Sequence, residues 1–313
     1  MIDQMTHLFR LRAVIEEGSM RKAAGRLNLT QPALSRSIAQ LESIFGRPLL
    51  VRHTRGIEPT DFGLRVLSTV NRMSRQWELA QEDLMRTGRE TTGVLRLRTG
   101  PLWRSVVLPS ILPEFQVQFP GVDVVLEYAS PRPVLEDLIE GHCDISFGGV
   151  QIDAKRDKRL IRREFVTVRD RIVARRDHPL LADLDQDGFV RAPHLLDYPW
   201  IVYTGDSVYE LQTQHAMIER LGRAPLVRCR SESLLAVLGL LQRSDYLCIL
   251  PEASVHATPE MQLRALPLPW TGRVVPSGAV YRAEMADWPP LVGLLDIATK
   301  YFANDAPEWG TPR

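Results

Sequence analysis

The sequence is poor in cysteine and holds no long apolar run. Only three cysteines occur in the 313 residues, and they lie far apart without forming a Cys-x-x-Cys pair. This pattern argues against a disulfide scaffold and against a zinc ribbon. No stretch of 18 apolar residues is present, so we predict no membrane span. The N-terminal segment also lacks the apolar centre of a signal peptide, and we expect a cytoplasmic protein that does not associate with membranes.

Signatures of catalysis and of metal binding are missing as well. The chain has no Gly-x-Gly-x-x-Gly, no Gly-x-Ser-x-Gly, no phosphate loop and no His-Glu-x-x-His. These are the patterns of dinucleotide binding, acyl transfer, phosphate binding and zinc-dependent hydrolysis. The seven histidines are scattered, with no metal-ligating neighbour at helical spacing. We therefore predict a protein that is not an enzyme and that needs no cofactor and no metal.

The charge is nearly balanced over the whole chain, yet one segment is strongly basic. The formal net charge is +1, which favours no particular class of partner. Between Gly18 and Ile57, however, seven basic residues occur with a single acid, Glu42. Such a cluster is either an ordinary solvated surface or an electrostatic footprint for phosphate groups.

The basic segment carries a helix-turn-helix pattern. Apolar residues at helical spacing predict helices over 6–17, 20–27 and 31–45, with Ser19 and Thr30 as N-caps of the second and third. On the third helix one stripe is apolar, whereas the opposite side holds short or polar residues. A merely solvated face would carry more Lys and Glu, so this face suits a helix that enters a DNA groove. The apolar stripe consists of Leu34, Ile38, Leu41 and Phe45.

A basic hairpin and a long helix follow. Residues 48–59 read as two short strands around His53-Thr54-Arg55-Gly56, which in this position predicts the wing of a winged helix. Thr60 then caps a helix that extends to about residue 87. Its apolar residues follow a 3-4 spacing over three repeats, which is typical of a coiled coil; the alternative is a face packed on its own domain. The predicted seam consists of Gly63, Val66, Val70, Met73, Trp77, Ala80 and Leu84.

Strands and helices alternate beyond the polar segment 88–93. We predict strands over 94–98, 122–127, 145–148, 171–175, 200–203, 226–228, 246–250 and 274–281, and helices over 106–119, 134–141, 209–221, 233–242 and 291–302. Such crossovers between strands predict a largely parallel α/β sheet. Ligands in folds of this kind lie outside the carboxyl ends of the strands.

The N-terminal motif resembles that of LysR-type transcriptional regulators. It reads Gly18-Ser19-x-x-x-Ala23-Ala24-x-x-Leu27-x-x-Thr30-Gln31-Pro32-Ala33-Leu34-Ser35-Arg36, followed by Phe45-Gly46-x-Pro48-Leu49-Leu50-x-Arg52 and Pro59-Thr60-x-x-Gly63. Weaker landmarks extend the resemblance over nearly the whole chain; among them are Phe119-Pro120-Gly121-Val122, Gly141-x-Cys143-Asp144-Ile145 and Asp177-His178-Pro179-Leu180.

The resemblance implies an α/β fold in three parts. An N-terminal winged helix-turn-helix DNA-binding domain would span 1–59, and a long linker and dimerisation helix with its hinge would span 60–92. A two-lobed periplasmic-binding-protein-like α/β effector domain would span 93–313. Lobe I would comprise about 93–165 and 271–303, and lobe II about 166–270, with the chain crossing between the lobes near 164–168 and 266–271.

On this basis we expect a sequence-specific DNA-binding transcription regulator. Basic side chains and helix-start groups should bind phosphates, and the polar face of the third helix should read bases. The expected phosphate contacts are Ser19, Arg21, Lys22, Thr30, Arg52 and Arg55. The expected base contacts are Gln31, Pro32, Ser35, Arg36 and Gln40. Pairing through the seam, with Val66, Val70, Met73, Trp77, Ala80 and Leu84 in contact, would place two recognition helices on successive major grooves of double-stranded DNA.

The resemblance implies further partners. It implies a homodimer or a homotetramer, with RNA polymerase as a candidate partner, and a small-molecule effector between the lobes. The effector would be a small organic acid or an aromatic metabolite. Aligned landmarks place the cleft near Thr99, Gly100, Pro101, Leu102, Trp103, Ser130, Pro131, Gly149, Tyr203, Thr204 and Tyr246. Trp103 is equally a candidate for the core.

Three alternatives remain at this point. The first is a regulator of the same family that senses oxidants through Cys143, Cys229 or Cys248, which requires an exposed thiol of low pKa or a thiol pair. The second is an enzyme or a two-lobed small-molecule-binding protein without DNA function. The third is a regulator whose second domain mediates assembly and binds no ligand.

Overall fold

The computed structural model describes residues 2–53, 56–84, 91–128, 134–150, 158–203, 217–270 and 272–305. Its internal contacts divide the chain into two units. The first unit comprises residues 1–89 together with 136–143, and the second comprises 90–135 together with 144–313. None of the helices in the described part of the chain is long and apolar enough to cross a membrane.

The first unit begins with three helices and a two-stranded antiparallel wing. The helices are α1 (Ile2–Glu17), α2 (Met20–Arg26) and α3 (Gln31–Phe45), and the strands are β1 (Leu50–His53) and β2 (Gly56–Pro59). Gly18 separates α1 from α2 with a φ of 59°, a left-handed conformation that glycine adopts without steric cost. The helix-turn-helix and the wing predicted from the sequence are both present.

The three helices, the wing and the next helix share one apolar core. Leu11, Ala23, Leu34 and Leu49 have no exposed surface, so α1, α2, α3 and the start of the wing all contribute a wholly buried side chain. Burial of each such leucine stabilises the fold by about 1.5–3 kcal/mol. The orientation of α3 therefore follows from apolar contacts on several sides.

The long helix α4 (Asp61–Leu84) starts against the wing. The Thr60 hydroxyl accepts a hydrogen bond from the amide of Gly63 (2.9 Å) and donates one to the carbonyl of Pro48 (2.9 Å). A Cβ atom on Gly63 would lie 2.1 Å from the carbonyl oxygen of Leu49. Only glycine allows this close approach, so Gly63 serves the packing of α4 on its own domain.

The second unit is built on a nine-stranded sheet. Its strands are β3 (Thr92–Thr99), β4 (Gly121–Tyr128), β5 (Ile145–Gly149), β6 (Leu160–Arg175), β7 (Trp200–Tyr203), β8 (Val227–Ser231), β9 (Leu247–Pro251), β10 (Leu263–Ala265) and β11 (Val274–Arg282). The order across the sheet is β4-β3-β5-β11-β6-β9-β7-β8, with β10 paired to β6.

The sheet is mixed, and the expectation of a largely parallel sheet is wrong. Parallel pairs join β3 to β4 and β5, and β7 to β8 and β9. The strands β6 and β11 are antiparallel to each other and to the strands beside them. Each half of the sheet is thus a parallel βαβ-type lobe, and two long antiparallel strands join the halves. The sequence indicated only the last part of β6, because the consecutive charged residues Arg162, Arg163 and Glu164 interrupt any apolar alternation in its first part.

Helices cover the sheet within the second unit. They are α5 (Leu108–Gln118), preceded by a π-helical turn at Trp103–Val107, and, after the short helix α6 (Val134–Ile139) that is grouped mostly with the first unit, α7 (Leu234–Arg243), α8 (Glu252–His256) and α9 (Pro289–Lys300). The strand β10 and the short helix α8 were not predicted. The helix predicted over 209–221 falls partly outside the described residues; residues 217–221 are helical.

Candidate nucleic-acid interface and ligand site

The exposed face of α3 gathers the residues predicted to read bases. Gln31, Pro32, Arg36 and Gln40 are exposed, and Ser35 is half-buried. The helix starts where the Thr30 hydroxyl accepts a hydrogen bond from the amide of Ala33 (3.4 Å). The opposite side is packed into the core, since Leu34, Ile38 and Leu41 are at most 2% exposed. The helix therefore presents a polar, nearly acid-free face on a rigid support.

Phe45 departs from the predicted stripe. It is 39% exposed and makes an edge-to-face contact with Phe62 of α4, with ring centroids 5.6 Å apart. Phe45 is the last residue of α3, and at this position the apolar stripe of the helix no longer faces the core. The prediction that Phe45 is a core residue like Leu34 is thus wrong.

A polar contact that the sequence reading missed holds α3 from behind. Ser37 is 2% exposed, and its hydroxyl is hydrogen-bonded to Nδ1 of His7 and to the guanidinium of Arg10, both on α1. The signal was available, because position 37 lies three residues after Leu34 and four before Leu41, on the buried side of a helix.

The basic residues of α2 divide into two groups. Arg21 and Lys22 are exposed at the start of the helix, where the Ser19 hydroxyl accepts from the amide of Lys22 (3.5 Å). Arg26, at the other end, is paired with Glu16 (2.7 Å) and Glu17 (3.3 Å). The hydrogen bond that the guanidinium of Arg26 donates to the carboxylate of Glu16 raises the pKa of Arg26. Charge for a phosphate is therefore concentrated at the helix N-terminus, where backbone N–H groups also favour anions.

The wing is tied to the recognition helix. The carboxylate of Glu42, on α3, accepts hydrogen bonds from the amides of Leu49 (2.8 Å) and Leu50 (3.3 Å). The guanidinium of the exposed Arg52 donates to the hydroxyl of Ser35 (3.4 Å). The wing therefore keeps a defined position relative to the face that carries Arg36. The predicted wing-tip residue Arg55 lies outside the described residues.

The predicted dimerisation seam on α4 splits into two parts. Val66 (8% exposed) and Val70 (2% exposed) belong to the core of the winged helix itself, so they are not available to a partner, and their assignment to the seam is wrong. Further along, Met73 is half-buried, Ala80 is exposed, and Trp77 and Leu84 are 57% and 77% exposed. The periodicity is continuous, but its first half packs on its own domain.

The predicted ligand residues of lobe I collect at the carboxyl end of β3. Thr99 pairs with Phe147 of β5, and the amide of Gly100 donates to the carbonyl of Phe147 (2.8 Å). Thr99 is wholly buried, and its hydroxyl has no hydrogen-bond partner among the described residues. A buried hydroxyl left unpaired costs about 1–3 kcal/mol. Beyond it Gly100 and Pro101 are half-buried, Leu102 is buried, and Gly149 at the end of β5 is exposed.

Trp103 belongs to the core of lobe I. It is 1% exposed, and its indole N–H donates to the hydroxyl of Ser277 on β11 (2.8 Å). Its ring stacks on Phe147 with centroids 4.5 Å apart and also contacts Phe165 and Phe302, at 5.7 and 5.4 Å. These contacts are those of a core residue, which was the alternative to a role for Trp103 in ligand binding.

The structure describes only some of the other predicted ligand residues. Tyr203, at the end of β7, is 7% exposed, and Tyr246 is half-buried beside the same apolar cluster. Ser130, Pro131 and Thr204 lie outside the described residues.

The cysteines offer little to a redox sensor. Cys143 and Cys248 are buried, and Cys229 is partly exposed. Burial raises the pKa of Cys248, which disfavours the reactive thiolate. Cys229 and Cys248 both pair with Ile201 from opposite sides of β7, so their backbones lie about 10 Å apart, beyond the reach of a disulfide. In the described residues, no group of three His, Cys, Asp or Glu is placed to hold a metal ion.

A winged helix joined to a two-lobed α/β domain defines a class of proteins that couple DNA binding to a small ligand. Two family models match the chain: "Bacterial regulatory helix-turn-helix protein, lysR family" over residues 5–64, and "LysR substrate binding domain" over residues 88–303. The HTH-type transcriptional regulator GalR of Pseudomonas putida is 29% identical over 302 residues, covering 93% of this chain and 72% of the relative.

Solved structures show the same fold. The full-length regulator LysG of Corynebacterium glutamicum with bound effector Arg superposes with a TM-score of 0.67 at 18% identity, covering 96% of this chain and 98% of that one. Full-length CbnR complexed with its target DNA superposes with a TM-score of 0.61 at 21% identity, covering 95% and 99%. The chain belongs to the LysR family, and it is a DNA-binding transcriptional regulator with an effector-binding domain.

Proposed function

We propose that residues 1–59 bind a specific duplex site through the exposed face of α3, with the wing and the start of α2 on the flanking phosphates. The observation that carries this proposal is the division of α3 into a buried inner side, apolar except for Ser37, and an exposed outer side with Gln31, Arg36 and Gln40. Arginine pairs in bidentate fashion with guanine, and glutamine with adenine. Each such pair is worth about 1–3 kcal/mol of discrimination between bases.

Loss of a base contact and loss of a phosphate contact should change DNA affinity in different ways. The full-length protein would be titrated with duplex DNA from upstream of its own gene and with scrambled duplex, at several salt concentrations. Arg36→Ala should remove most of the preference for the native duplex, because a base contact is lost. Lys22→Ala should weaken binding to both duplexes equally. It should also reduce the magnitude of the slope of log K against log salt concentration by about 1, because a phosphate contact is lost.

A matched control separates charge from position. Arg191 is an exposed arginine of lobe II, so Arg191→Ala removes the same charge far along the chain and should leave both affinities unchanged. If Arg36→Ala preserves the preference for the native duplex, α3 does not read the bases through this residue. If duplexes selected from a random pool bind the wild-type protein no better than scrambled DNA, sequence-specific binding itself is refuted.

For the second domain, we propose that the effector is a small organic acid or an aromatic metabolite bound at the carboxyl ends of the strands. The support is the Thr99 hydroxyl, which has no hydrogen-bond partner in the described part of the chain and directly precedes the helical segment starting near Gly100. A carboxylate there would accept a hydrogen bond from the hydroxyl and interact favourably with the helix N-terminus. Ser130 and Thr204 complete the proposed polar set.

A thermal-shift screen of small carboxylic acids tests this site. A ligand present at 100 times its Kd stabilises the native state by about 2.7 kcal/mol. Thr99→Val should abolish the response to the acid that stabilises the wild type, while Thr99→Ser, which retains the hydroxyl, should preserve it. A response that is equal in Thr99→Val and in the wild type would place the acid elsewhere.

Assembly and location follow from the same proposal. The exposed part of the α4 seam (Met73, Trp77, Ala80 and Leu84) would pair two chains, which brings two copies of α3 to successive major grooves. We propose a homodimer or homotetramer in the cytoplasm, where the DNA is, with RNA polymerase as a partner at the promoter. The proposed division into 1–59, 60–92 and 93–313 places α4 between the two binding functions.

A further inference from the structure

A cavity of about 260 Å³ lies on one face of lobe II, and we call it the joint cavity. Its walls include residues 170–172 of β6 and residues 268, 270, 272 and 273 of the segment that leads back into β11. These two stretches are where the chain passes between the lobes. None of the wall residues is among those proposed above for DNA or for the effector.

The floor of the joint cavity is apolar. It is formed by Ile172, Ile249 and Leu268. Ile249 lies on β9, which has β6 on one side and β7 on the other, yet its side chain is half-exposed. The side chain of a residue on an inner strand is exposed when no other element covers that face of the sheet, and here the open space is the joint cavity. The cavity is larger than the roughly 150 Å³ that holds benzene and is near the low end of the roughly 300–1,000 Å³ of ligand pockets, so it suits a ligand with a single ring.

The rim of the joint cavity is positively charged. Arg171, Arg220 and Arg273 line it, against one carboxylate, Asp170. Glu252 lies 3.9 Å from Arg171 and offsets its charge. Arg220 and Arg273 still outnumber Asp170, so the rim carries a net positive charge. Arg220 lies over the ring of Trp270, with 5.4 Å between the guanidinium carbon and the ring centroid. A guanidinium held on an aromatic face keeps its planar fork of N–H donors for a carboxylate.

We propose that the joint cavity binds a small aromatic carboxylate. Its ring lies on Ile172, Ile249 and Leu268, and Arg220 binds its carboxylate. This site is separate from the proposed effector cleft, and it does not depend on the DNA-binding proposal.

The position of the cavity gives its ligand a route to regulation. Within its wall the amide of Asp170 donates to the carbonyl of Arg273 (2.8 Å), and a Cβ on Gly272 would lie 1.7 Å from the carbonyl oxygen of Asp170. The backbones of the two joining segments are therefore hydrogen-bonded beside the cavity, and they approach too closely there to admit a side chain at position 272. A ligand that contacts both segments favours the lobe arrangement in which both are in place.

The test uses fluorine NMR of 4-fluorobenzoate with the full-length protein. The ligand resonance should broaden with the wild type and with Thr99→Val, which alters the proposed cleft. Ile249→Phe, which fills the cavity, and Arg220→Met, which removes the carboxylate partner at an exposed position, should each weaken binding at least about tenfold, equivalent to about 1.4 kcal/mol. Arg191→Met is the matched control and should bind like the wild type. Uncharged 4-fluorobenzamide should cause no broadening.

Unchanged thermal unfolding of each ligand-free variant establishes that it is folded. Several results would overturn the proposal: no broadening with the wild type at millimolar protein and ligand, equal broadening with Arg220→Met and Ile249→Phe, or equal broadening by the benzamide. Loss of binding in Thr99→Val alone would also overturn it, because the acid would then occupy the cleft. That outcome would support the proposed effector site, so failure of one proposal is distinguishable from failure of the other.

Discussion

Asp144 ties together three adjacent strands of lobe I, and its replacement should destabilise the second unit strongly. Its carboxylate is wholly buried. One oxygen accepts a hydrogen bond from the guanidinium of Arg282, at the end of β11 (2.9 Å), and the other accepts from the amide of Arg96, on β3 (2.9 Å). Asp144 itself directly precedes β5, which lies between those two strands.

The magnitude follows from what Asp144→Asn leaves behind. Arg282 is only 3% exposed, so it would remain as a buried cation without its main partner. Removal of one member of a buried ion pair costs roughly 3–5 kcal/mol. Glu284 remains 3.0 Å from the same guanidinium, which places the expected loss near the lower end, at about 3 kcal/mol. The loss should appear in the urea midpoint of the full-length protein, followed by near-ultraviolet circular dichroism.

An exposed pair and a double mutant complete the experiment. Arg163 and Asp296 lie 3.7 Å apart with 37% and 57% of their side chains exposed, so Asp296→Asn should cost only about 0–1 kcal/mol. In the double mutant Asp144→Asn with Arg282→Met no buried cation remains. Its destabilisation should therefore be smaller than the sum of the single changes by at least about 1 kcal/mol. A strictly additive double mutant, or an Asp144→Asn no worse than Asp296→Asn, would refute the reasoning.

Two further predictions concern pH and assembly. Burial lowers the pKa of His178 from 6.5, opposed by its hydrogen bond to the Asp245 carbonyl. The neutral ring therefore contributes stability that is complete above pH 6.5 and is lost as the pH falls through the lowered pKa. The urea midpoint should fall more for the wild type than for His178→Gln between pH 7.5 and 5.5, and equal falls would contradict this assignment. On α4, Trp77→Lys should shift the sedimenting species from dimer to monomer, because it places a charge in the exposed seam, while the neighbouring Gln76→Lys should not; an unchanged dimer in Trp77→Lys would exclude that seam as the interface.

The recognition helix was predictable to the residue because its signals are local. Thr30 caps it, Pro32 occupies its first turn, and Gly46 ends it with a φ of 64°. Each of these signals acts within one turn of the helix end, where the backbone needs a specific partner or a specific dihedral angle. The apolar stripe then sets the buried side, which holds until the last turn at Phe45.

The first part of β6 was not predictable in the same way. It carries Arg162 and Glu164 on exposed positions, and a run of this kind reads as a loop unless its partner strand is known. Its place is set by pairing with β11, more than a hundred residues away, where Gly278 allows the carbonyl of Arg163 to approach closely. Long-range pairing of this kind leaves no local periodicity apart from a weak alternation.

The helix α4 shows the limit of periodicity itself. A 3-4 apolar spacing states that one side of a helix is covered, but it does not state by what. Val66 and Val70 are covered by the core of their own domain, whereas Trp77 and Leu84 continue the same spacing with large exposed fractions. The change occurs where the winged helix ends, so the size of the domain decides which half of the seam remains for a partner.

Glu42, the single acid in the basic segment, has a structural role that its charge alone does not indicate. By charge count alone, Glu42 would weaken a phosphate footprint. In the structure its carboxylate accepts from two backbone amides at the start of the wing, which directs the acid away from the exposed face of α3. On that face Arg52 of the wing contacts Ser35, so the residues proposed for phosphates and those proposed for bases are held together. The acid therefore strengthens the proposed interface by fixing the wing beside the helix that carries Arg36.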